Sequence, residues 1–152
     1  MLLLARALKV VDGFRPPRVA HAHCDLPCGV YDPAQARIEA ESVLRICEKY
    51  QESDDPEFRQ RCIHIKEARA DFVKHHLWVL WTDYFKPHHL EKHPELHARF
   101  WAATKAAGDS KRSTDPSDAR KLIEAVDAVA DIFWRTEEAA DAGLYRPEMT
   151  GS

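Results

Sequence analysis

The stretch Asp115-Pro-Ser-Asp-Ala-Arg-Lys-Leu-Ile-Glu-Ala-Val-Asp-Ala-Val-Ala-Asp-Ile-Phe133 opens with a helix-start signal and continues as an amphipathic helix. Aspartate can cap free backbone N–H groups, and proline is well tolerated as the first helical residue. The apolar residues recur at spacings of three and four and form one stripe: Leu122, Val126, Val129 and Phe133. The stretch therefore predicts a helix from about Pro116 to Ala140 that buries one face against neighbouring helices.

The same Asp-Pro signal occurs at two earlier positions, and each predicts another helix start. One helix is expected from about Pro33 to Gln51 and a second from about Pro56 to Asp83. In the second helix, apolar residues recur at helical spacing and predict the buried face: Phe58, Cys62, Ile65, Phe72 and Val79.

A further helix fits between about His89 and Ala107, ahead of the polar loop Gly108–Asp115. Strand-like alternation is scarce along the chain. Four helices with short connections predict an all-α, up-and-down antiparallel four-helix bundle over residues 32–145, followed by a loose tail at 146–152.

The composition excludes several classes of protein. The chain has 152 residues, 45% of them hydrophobic and 31% charged, which is typical of one globular domain with a core. The net charge of −3 argues against a nucleic-acid partner. No run of about 18 apolar residues is present, so we expect no membrane-spanning helix.

Residues 1–22 are predicted to be a propeptide that is removed on maturation. Ala20-His-Ala22 resembles a cleavage site between small residues. Arg6 and Lys9, however, interrupt the apolar core that a secretory signal requires. We therefore expect a cytoplasmic protein, with secretion as the alternative. Loss of this leader lowers the net charge from −3 to −6, so attraction of an anionic substrate would have to be local.

The segment His23-Cys-Asp-Leu-Pro-Cys-Gly-Val-Tyr31, called the hook below, carries the residues best suited to chemistry. Two cysteines at this spacing could alone be a disulfide, half of a zinc site or two unrelated thiols. Here a histidine precedes the first cysteine, and proline and glycine flank the second. Cleavage after Ala22 would free the amine of His23, so the hook could offer that amine, an imidazole, the Cys24 backbone nitrogen and two thiolates.

This set of donors favours one metal. Two nitrogens and two sulfurs in a plane match the square-planar preference of nickel(II). Zinc prefers a tetrahedral arrangement and has no redox chemistry. The hook therefore predicts a redox-active nickel site with His23, Cys24 and Cys28 as ligands.

Two charged residues interrupt the apolar stripes of the first two helices, Glu39 in the first and Arg69 in the second. A buried charge is costly unless it is paired. The helices fold about a loop near residue 54, and each charged residue lies about fifteen positions from it. The sequence therefore predicts a salt bridge between the helices. Such a pair could also lie beneath the segment that precedes the first helix and anchor it.

Further residues resemble those of a known family. The hook, together with Asp32-Pro-Ala-Gln-Ala-Arg-Ile-Glu-Ala-Glu-Ser42, closely resembles the N-terminus of mature nickel superoxide dismutases. The likeness covers nearly all of residues 23–135 and continues at Lys74-His-His76, Leu80-Trp-Thr-Asp-Tyr-Phe-Lys-Pro87 and Ile132-Phe-Trp134. It implies disproportionation of superoxide to dioxygen and hydrogen peroxide by Ni(II)/Ni(III) cycling at the processed N-terminus. It also implies a maturation peptidase and a homohexamer with one nickel ion per subunit.

The resemblance implies roles for particular residues. The nickel ligands would be the amine and imidazole of His23, the backbone nitrogen and sulfur of Cys24, and the sulfur of Cys28. Glu39 and Arg69 match the residues that hold the axial imidazole.

Four more positions match family positions around the metal. Tyr31 and Tyr84 correspond to tyrosines that line the approach to nickel. Asp25 and Lys86 also fall near the site, and Lys86 could supply the local attraction for an anion that the net charge does not.

Some residues lie outside these motifs. Cys47 and Cys62 fall inside helical patterns and are predicted to be buried, inert thiols, with a disulfide or redox role as the alternative. His89, His93 and His97 would share one helix face at four-residue spacing. They could bind a metal, but a solvated face or a subunit contact is the favoured interpretation.

Two rival functions use the same hook. One is a non-enzymatic nickel- or copper-binding protein or metallochaperone, which would exchange metal without redox turnover. The other is a thiol-redox protein that uses Cys24 and Cys28, but no βαβ pattern supports a thioredoxin-like site. The matches at Tyr31, Tyr84 and the Glu39–Arg69 pair favour the enzyme, since a simple carrier does not need them.

Overall fold

The structure, a computed structural model, describes residues 31–142. Every regular element in this range is helical: α1 (Ala34–Glu52), α2 (Pro56–Val79), a π-helical segment (Leu80–Tyr84), α3 (Pro87–Lys92), α4 (Leu96–Arg112), α5 (Pro116–Phe133) and α6 (Glu137–Ala142). Among the long helices, α1 packs against α2 and α5, and α4 packs against the same two. The predicted all-α helical bundle is confirmed.

The Asp-Pro signals begin helices as predicted. The carboxylates of Asp32, Asp55 and Asp115 each accept a hydrogen bond from the backbone N–H two residues further on, at 2.7, 3.0 and 2.8 Å. Each bond satisfies a donor that the first turn of a helix leaves without an intrahelical partner.

The predicted buried face of α5 is confirmed. Leu122, Val126, Val129 and Phe133 are all buried in the main core cluster. The helix itself ends at Phe133 rather than near Ala140. A turn follows, and the chain becomes helical again at α6.

The predicted buried face of α2 is wrong in part. Cys62 is buried as expected, but the side chains of Phe58 and Phe72 are 40% and 46% exposed. The buried residues of this helix are Cys62, Lys66, Ala70, Val73 and Leu77. The buried face combines a lysine with small and medium-sized residues. The prediction followed the largest apolar side chains, and these lie to one side of the buried face.

Lys66 is buried because its ammonium group has partners inside the bundle. Its Nζ donates to the backbone oxygens of Ser110 and Lys111, at 2.6 and 2.7 Å. These carbonyls lie in the last turn of α4, where no intrahelical N–H is available to them. Burial lowers the pKa of Lys66 below its usual value. The side chain therefore joins α2 to the end of α4.

The predicted continuous helix from His89 to Ala107 is wrong. Pro94 lacks a backbone N–H and disfavours helical geometry at the residue before it. Accordingly His93 leaves the helical region, with φ −130° and ψ 73°, and α3 and α4 are separate. At its other end α4 continues to Arg112, so the loop that was predicted to begin at Gly108 comprises only residues 113–115.

Cys47 and Cys62 are both buried and free, so they form no disulfide with each other. Burial raises the pKa of the Cys47 thiol, which keeps it protonated and weakly nucleophilic. This agrees with the prediction of inert core thiols. Separately, no described helix is both long and apolar enough to cross a membrane.

Replacing Leu122 with alanine tests the α5 stripe. The side chain is fully buried, so the substitution leaves a cavity and should lower the free energy of unfolding by about 2–5 kcal/mol. Urea unfolding followed by circular dichroism measures the loss. Glu124→Ala, at an exposed position of the same helix, is the matched control and should change little. Equal effects of the two substitutions would contradict the assignment of this face.

Candidate metal centre

The predicted nickel ligands His23, Cys24 and Cys28, and the neighbouring Asp25, lie outside the described residues 31–142. Their roles therefore stay predictions. The described part of the chain begins at Tyr31, three positions after Cys28. It shows the helices and aromatic rings around Tyr31, the last residue of the hook.

Tyr31 and Tyr84 lie together in the structure. Their ring centroids are 5.6 Å apart, with an angle of 59° between the ring planes. Tyr31 lies three positions before the start of α1, whereas Tyr84 ends the π-helical segment after α2. The fold thus brings into contact two tyrosines that the sequence separates by 53 positions.

The π-helical segment explains the position of Tyr84. The Phe85 backbone N–H donates to the Leu80 oxygen at 3.0 Å, five residues back, which closes the wider turn of a π-helix. Pro87 then forces Lys86 into an extended conformation, with φ −123° and ψ 165°. The helix must therefore end just after its widest turn, with Tyr84 and Phe85 packed against the core cluster.

Tyr84 is held on several sides. Its ring lies 4.4 Å from that of Phe133, and it stacks on His89 at 5.6 Å with only 7° between the planes. Its hydroxyl forms a hydrogen bond with the hydroxyl of Thr136. Burial raises the pKa of Tyr84 above its usual value, so the side chain is a neutral phenol at physiological pH.

His89 is fixed by two hydrogen bonds. The Lys86 backbone N–H donates to His89 Nδ1 at 3.0 Å, and His89 Nε2 lies 3.1 Å from a carboxylate oxygen of Glu138. Because Nδ1 accepts, the proton of the neutral ring must be on Nε2, where it donates to Glu138.

His88, His89 and Glu138 have the residue types and the proximity of a metal site. His88 Nε2 lies 3.1 Å from the second oxygen of Glu138. However, the proton on His89 Nε2 occupies the lone pair that a metal would need. The cluster instead links α3 to α6. Sequence reasoning missed it, because Glu138 lies 49 residues from His89 and no local pattern marks it.

The predicted histidine face His89, His93 and His97 does not form. The break at Pro94 places these residues in different elements. His93 Nδ1 lies 3.8 Å from a carboxylate oxygen of Glu95, and the His97 ring packs edge-on against Trp81 at 5.8 Å.

The predicted salt bridge between α1 and α2 is present. Arg69 Nη1 donates to both carboxylate oxygens of Glu39, each at 3.2 Å. The premise of a deeply buried pair is wrong for Arg69, whose side chain is 42% exposed, compared with 17% for Glu39. The guanidinium is also 5.5 Å from the centroid of the Phe72 ring, a distance that allows a cation–π contact.

Lys86 lies at the surface, two positions after Tyr84. Its ammonium group donates to the Asp83 backbone oxygen at 2.7 Å. This bond holds a positive charge against the end of the π-helical segment that carries Tyr84.

Comparison with known proteins gives the family. The family described as nickel-containing superoxide dismutase matches residues 18–137. "Superoxide dismutase [Ni]" of Streptomyces coelicolor is 52% identical over 126 residues, which are 83% of this chain and 96% of that protein. Its counterpart from Streptomyces seoulensis is 54% identical over the same shares. A crystal structure of nickel-containing superoxide dismutase after partial X-ray-induced reduction is 56% identical and has a TM-score of 0.74, covering 77% of this chain and all of that one.

The fold is that of a helical oxidoreductase with nickel as its cofactor, and the chain belongs to the nickel-containing superoxide dismutase family. The predictions of a superoxide dismutase, of its substrate superoxide and of a nickel cofactor are confirmed. The alternative of a metallochaperone is not favoured.

Acid should loosen the contact between α3 and α6. The pKa of Glu138 is lowered to about 2, first by its own backbone N–H and then by His89. A carboxylate with a lowered pKa stabilises the fold above its ordinary value near 4.5 and loses that effect as the pH falls toward about 2. Protection of the α6 amides from hydrogen exchange, corrected for intrinsic rates, should therefore decrease between pH 5 and pH 3, by an amount within about 1 kcal/mol for so exposed a pair.

The matched variant for this experiment is Glu138→Gln. It keeps an oxygen for His89 but cannot titrate, so its protection should depend less on pH. Wild-type protection that is the same at pH 5 and pH 3 would show that this carboxylate does not hold α6.

Proposed function

We propose that this chain dismutates superoxide at a nickel ion bound by an N-terminus that begins at His23. The ligands are the amine and imidazole of His23, the backbone nitrogen and sulfur of Cys24, and the sulfur of Cys28. A donor set of nitrogens and thiolate sulfurs would suit nickel, and family membership supports the same metal. When bound, nickel supplies one-electron redox chemistry between its divalent and trivalent states.

The contact between Tyr31 and Tyr84 is the observation in the described residues that supports this site best. Tyr31 lies three positions after Cys28, so their Cα atoms are at most about 11 Å apart. The tyrosine pair, with ring centroids 5.6 Å apart, therefore forms a wall next to the end of the hook. In the proposed site this wall limits the size of the groups that reach the metal.

The Glu39–Arg69 pair positions the imidazole of His23. Arg69 binds both oxygens of the carboxylate through one nitrogen, so each oxygen keeps a lone pair that can accept another hydrogen bond. A carboxylate that accepts from the outer N–H of a ligand imidazole fixes the orientation of its ring.

Charge near the site favours an anionic substrate. The exposed ammonium group of Lys86 is bonded to the backbone oxygen of Asp83, the residue before Tyr84, and creates a local positive potential, although the whole chain carries −3. Asp25 directly follows the predicted ligand Cys24 in the sequence.

The proposed reaction consumes two superoxide ions. One superoxide gives up its electron and leaves as dioxygen. A second accepts that electron with two protons and leaves as hydrogen peroxide.

Maturation and assembly complete the proposal. A peptidase in the cytoplasm removes residues 1–22, and the mature chains form a homohexamer. Aromatic side chains on the surface of the bundle support a subunit contact, since Trp78 and Trp101 are 52% and 65% exposed.

Blocking the cleavage tests the origin of the site. Ala22→Trp places a bulky residue at the predicted cut, and the uncut chain should stay helical but bind no nickel and show no dismutase activity. Intact mass, nickel content and superoxide decay measure these properties in protein from nickel-supplied cells. The control is a chain released at His23 by an unrelated protease, which should regain about one nickel per chain. An uncut chain with full activity would remove the basis of the proposal.

The role of the Glu39–Arg69 pair is tested by Glu39→Gln. Loss of a carboxylate behind a metal ligand should reduce nickel affinity or activity by roughly 10- to 100-fold. The free energy of unfolding should change by less than about 1 kcal/mol, because the pair is partly exposed. Glu41→Gln, which alters the Arg37–Glu41 pair on the same helix, is the matched control and should leave activity intact. If the two variants have the same activity, Glu39 does not position a ligand.

A further inference from the structure

The hydrogen bonds of Thr136 determine the direction of the bond between Thr136 and Tyr84. Thr136 Oγ1 lies 2.7 Å from the backbone oxygen of Phe133 and also bonds to the Tyr84 hydroxyl. A carbonyl oxygen can only accept, and a threonine hydroxyl has one hydrogen to give. That hydrogen therefore goes to Phe133, and Tyr84 must donate its own hydrogen to Thr136.

The surroundings of this hydroxyl favour its bond to Thr136. Thr136 is buried, which limits competition from water for the bond. The phenolic hydrogen is thus directed at Thr136 rather than at the neighbouring Tyr31.

The ring that carries this hydroxyl has little freedom to move. Phe133 packs on it at 4.4 Å and His89 stacks on it, while Lys86 and Glu138 hold the His89 ring on both of its nitrogens. Redirecting the phenolic hydrogen would therefore require rotation about the C–O bond and loss of the bond to Thr136.

We propose that Thr136 is a positioning residue that takes the phenolic hydrogen of Tyr84, so that Tyr84 presents only an accepting oxygen and supplies neither proton to the peroxide product. This rests on the proposed function, in which both tyrosines line the site. The two protons consumed in each cycle then come from solvent or from another group at the site. Tyr84 contributes shape and a hydrogen-bond acceptor.

The first test is Tyr84→Phe in the mature, nickel-loaded enzyme. Superoxide decay is followed by stopped flow or pulse radiolysis between pH 6 and pH 10, in H₂O and in D₂O, and is normalised to nickel content. A general acid contributes about 10²- to 10⁴-fold to a rate, so its removal would lower the rate by a factor that is easily measured. Because Tyr84 shapes the site, the variant can lose some activity, but we expect any loss to stay below this range and the pH profile and solvent isotope effect to match those of wild type.

The second test is the isosteric Thr136→Val. Its Tyr84 hydroxyl loses the acceptor and can turn toward water at the site, so the pH profile or the solvent isotope effect should change. Thr136→Ser keeps the hydroxyl and should restore wild-type behaviour. Because the change acts through Tyr84, the double variant with Tyr84→Phe should behave like Tyr84→Phe alone. Lys92→Gln removes the 2.6 Å ion pair with Glu137, another link between α3 and α6, and is the matched control.

Three results would overturn the inference in an active enzyme. The first is a loss of about 100-fold or more in Tyr84→Phe, together with a changed isotope effect, which would make Tyr84 the proton donor. The second is a Thr136→Val variant identical to wild type in every measurement. The third is an effect of Thr136→Val that persists without the Tyr84 hydroxyl or is matched by Lys92→Gln. A mature wild-type chain without nickel or activity would instead overturn the proposed function itself.

Discussion

The contact between Phe133 and Tyr84 joins the core of the bundle to the candidate site. Phe133 is the last residue of the α5 stripe and is almost fully buried, and its ring lies 4.4 Å from that of Tyr84. The packing of four long helices therefore determines where Tyr84 lies. Tyr31 depends on Tyr84 in turn, because the two rings are in contact. The wall of the site is thus an extension of the core rather than a separate loop.

The sequence predicted the features that depend on near neighbours along the chain. An Asp-Pro start acts through a bond to a donor two residues on, and the α5 stripe follows from helical spacing alone. The buried face of α2 was missed because it depends on a distant partner. Lys66 is buried only because the end of α4, 44 residues further on, offers it two carbonyl oxygens. A pattern of apolar residues cannot indicate such a lysine.

The same distinction applies to the site. The Glu39–Arg69 pair could be predicted from equal distances to one loop, whereas the hook, predicted from its donor atoms, stays a prediction. The partners of Tyr84 could not be predicted, because Thr136 lies 52 residues away and its importance comes from a single hydroxyl. The histidine trio that the spacing suggested fails at Pro94, where one missing N–H ends the helix. His89, one of these three histidines, instead stacks on the ring of Tyr84.

The site divides its work between two parts of the chain. In the proposed function the hook supplies the metal donors, whereas the bundle supplies the tyrosine wall, the Glu39–Arg69 pair and the charge of Lys86. In the described residues, each bundle component is held by partners within the bundle: Tyr84 by α5 and α6, Glu39 by α2, and Lys86 by the π-helical segment. None of these contacts uses the His23 amine. The bundle can therefore fold with these contacts in place without the donors of the hook, and the cleavage that we propose has only to complete that donor set.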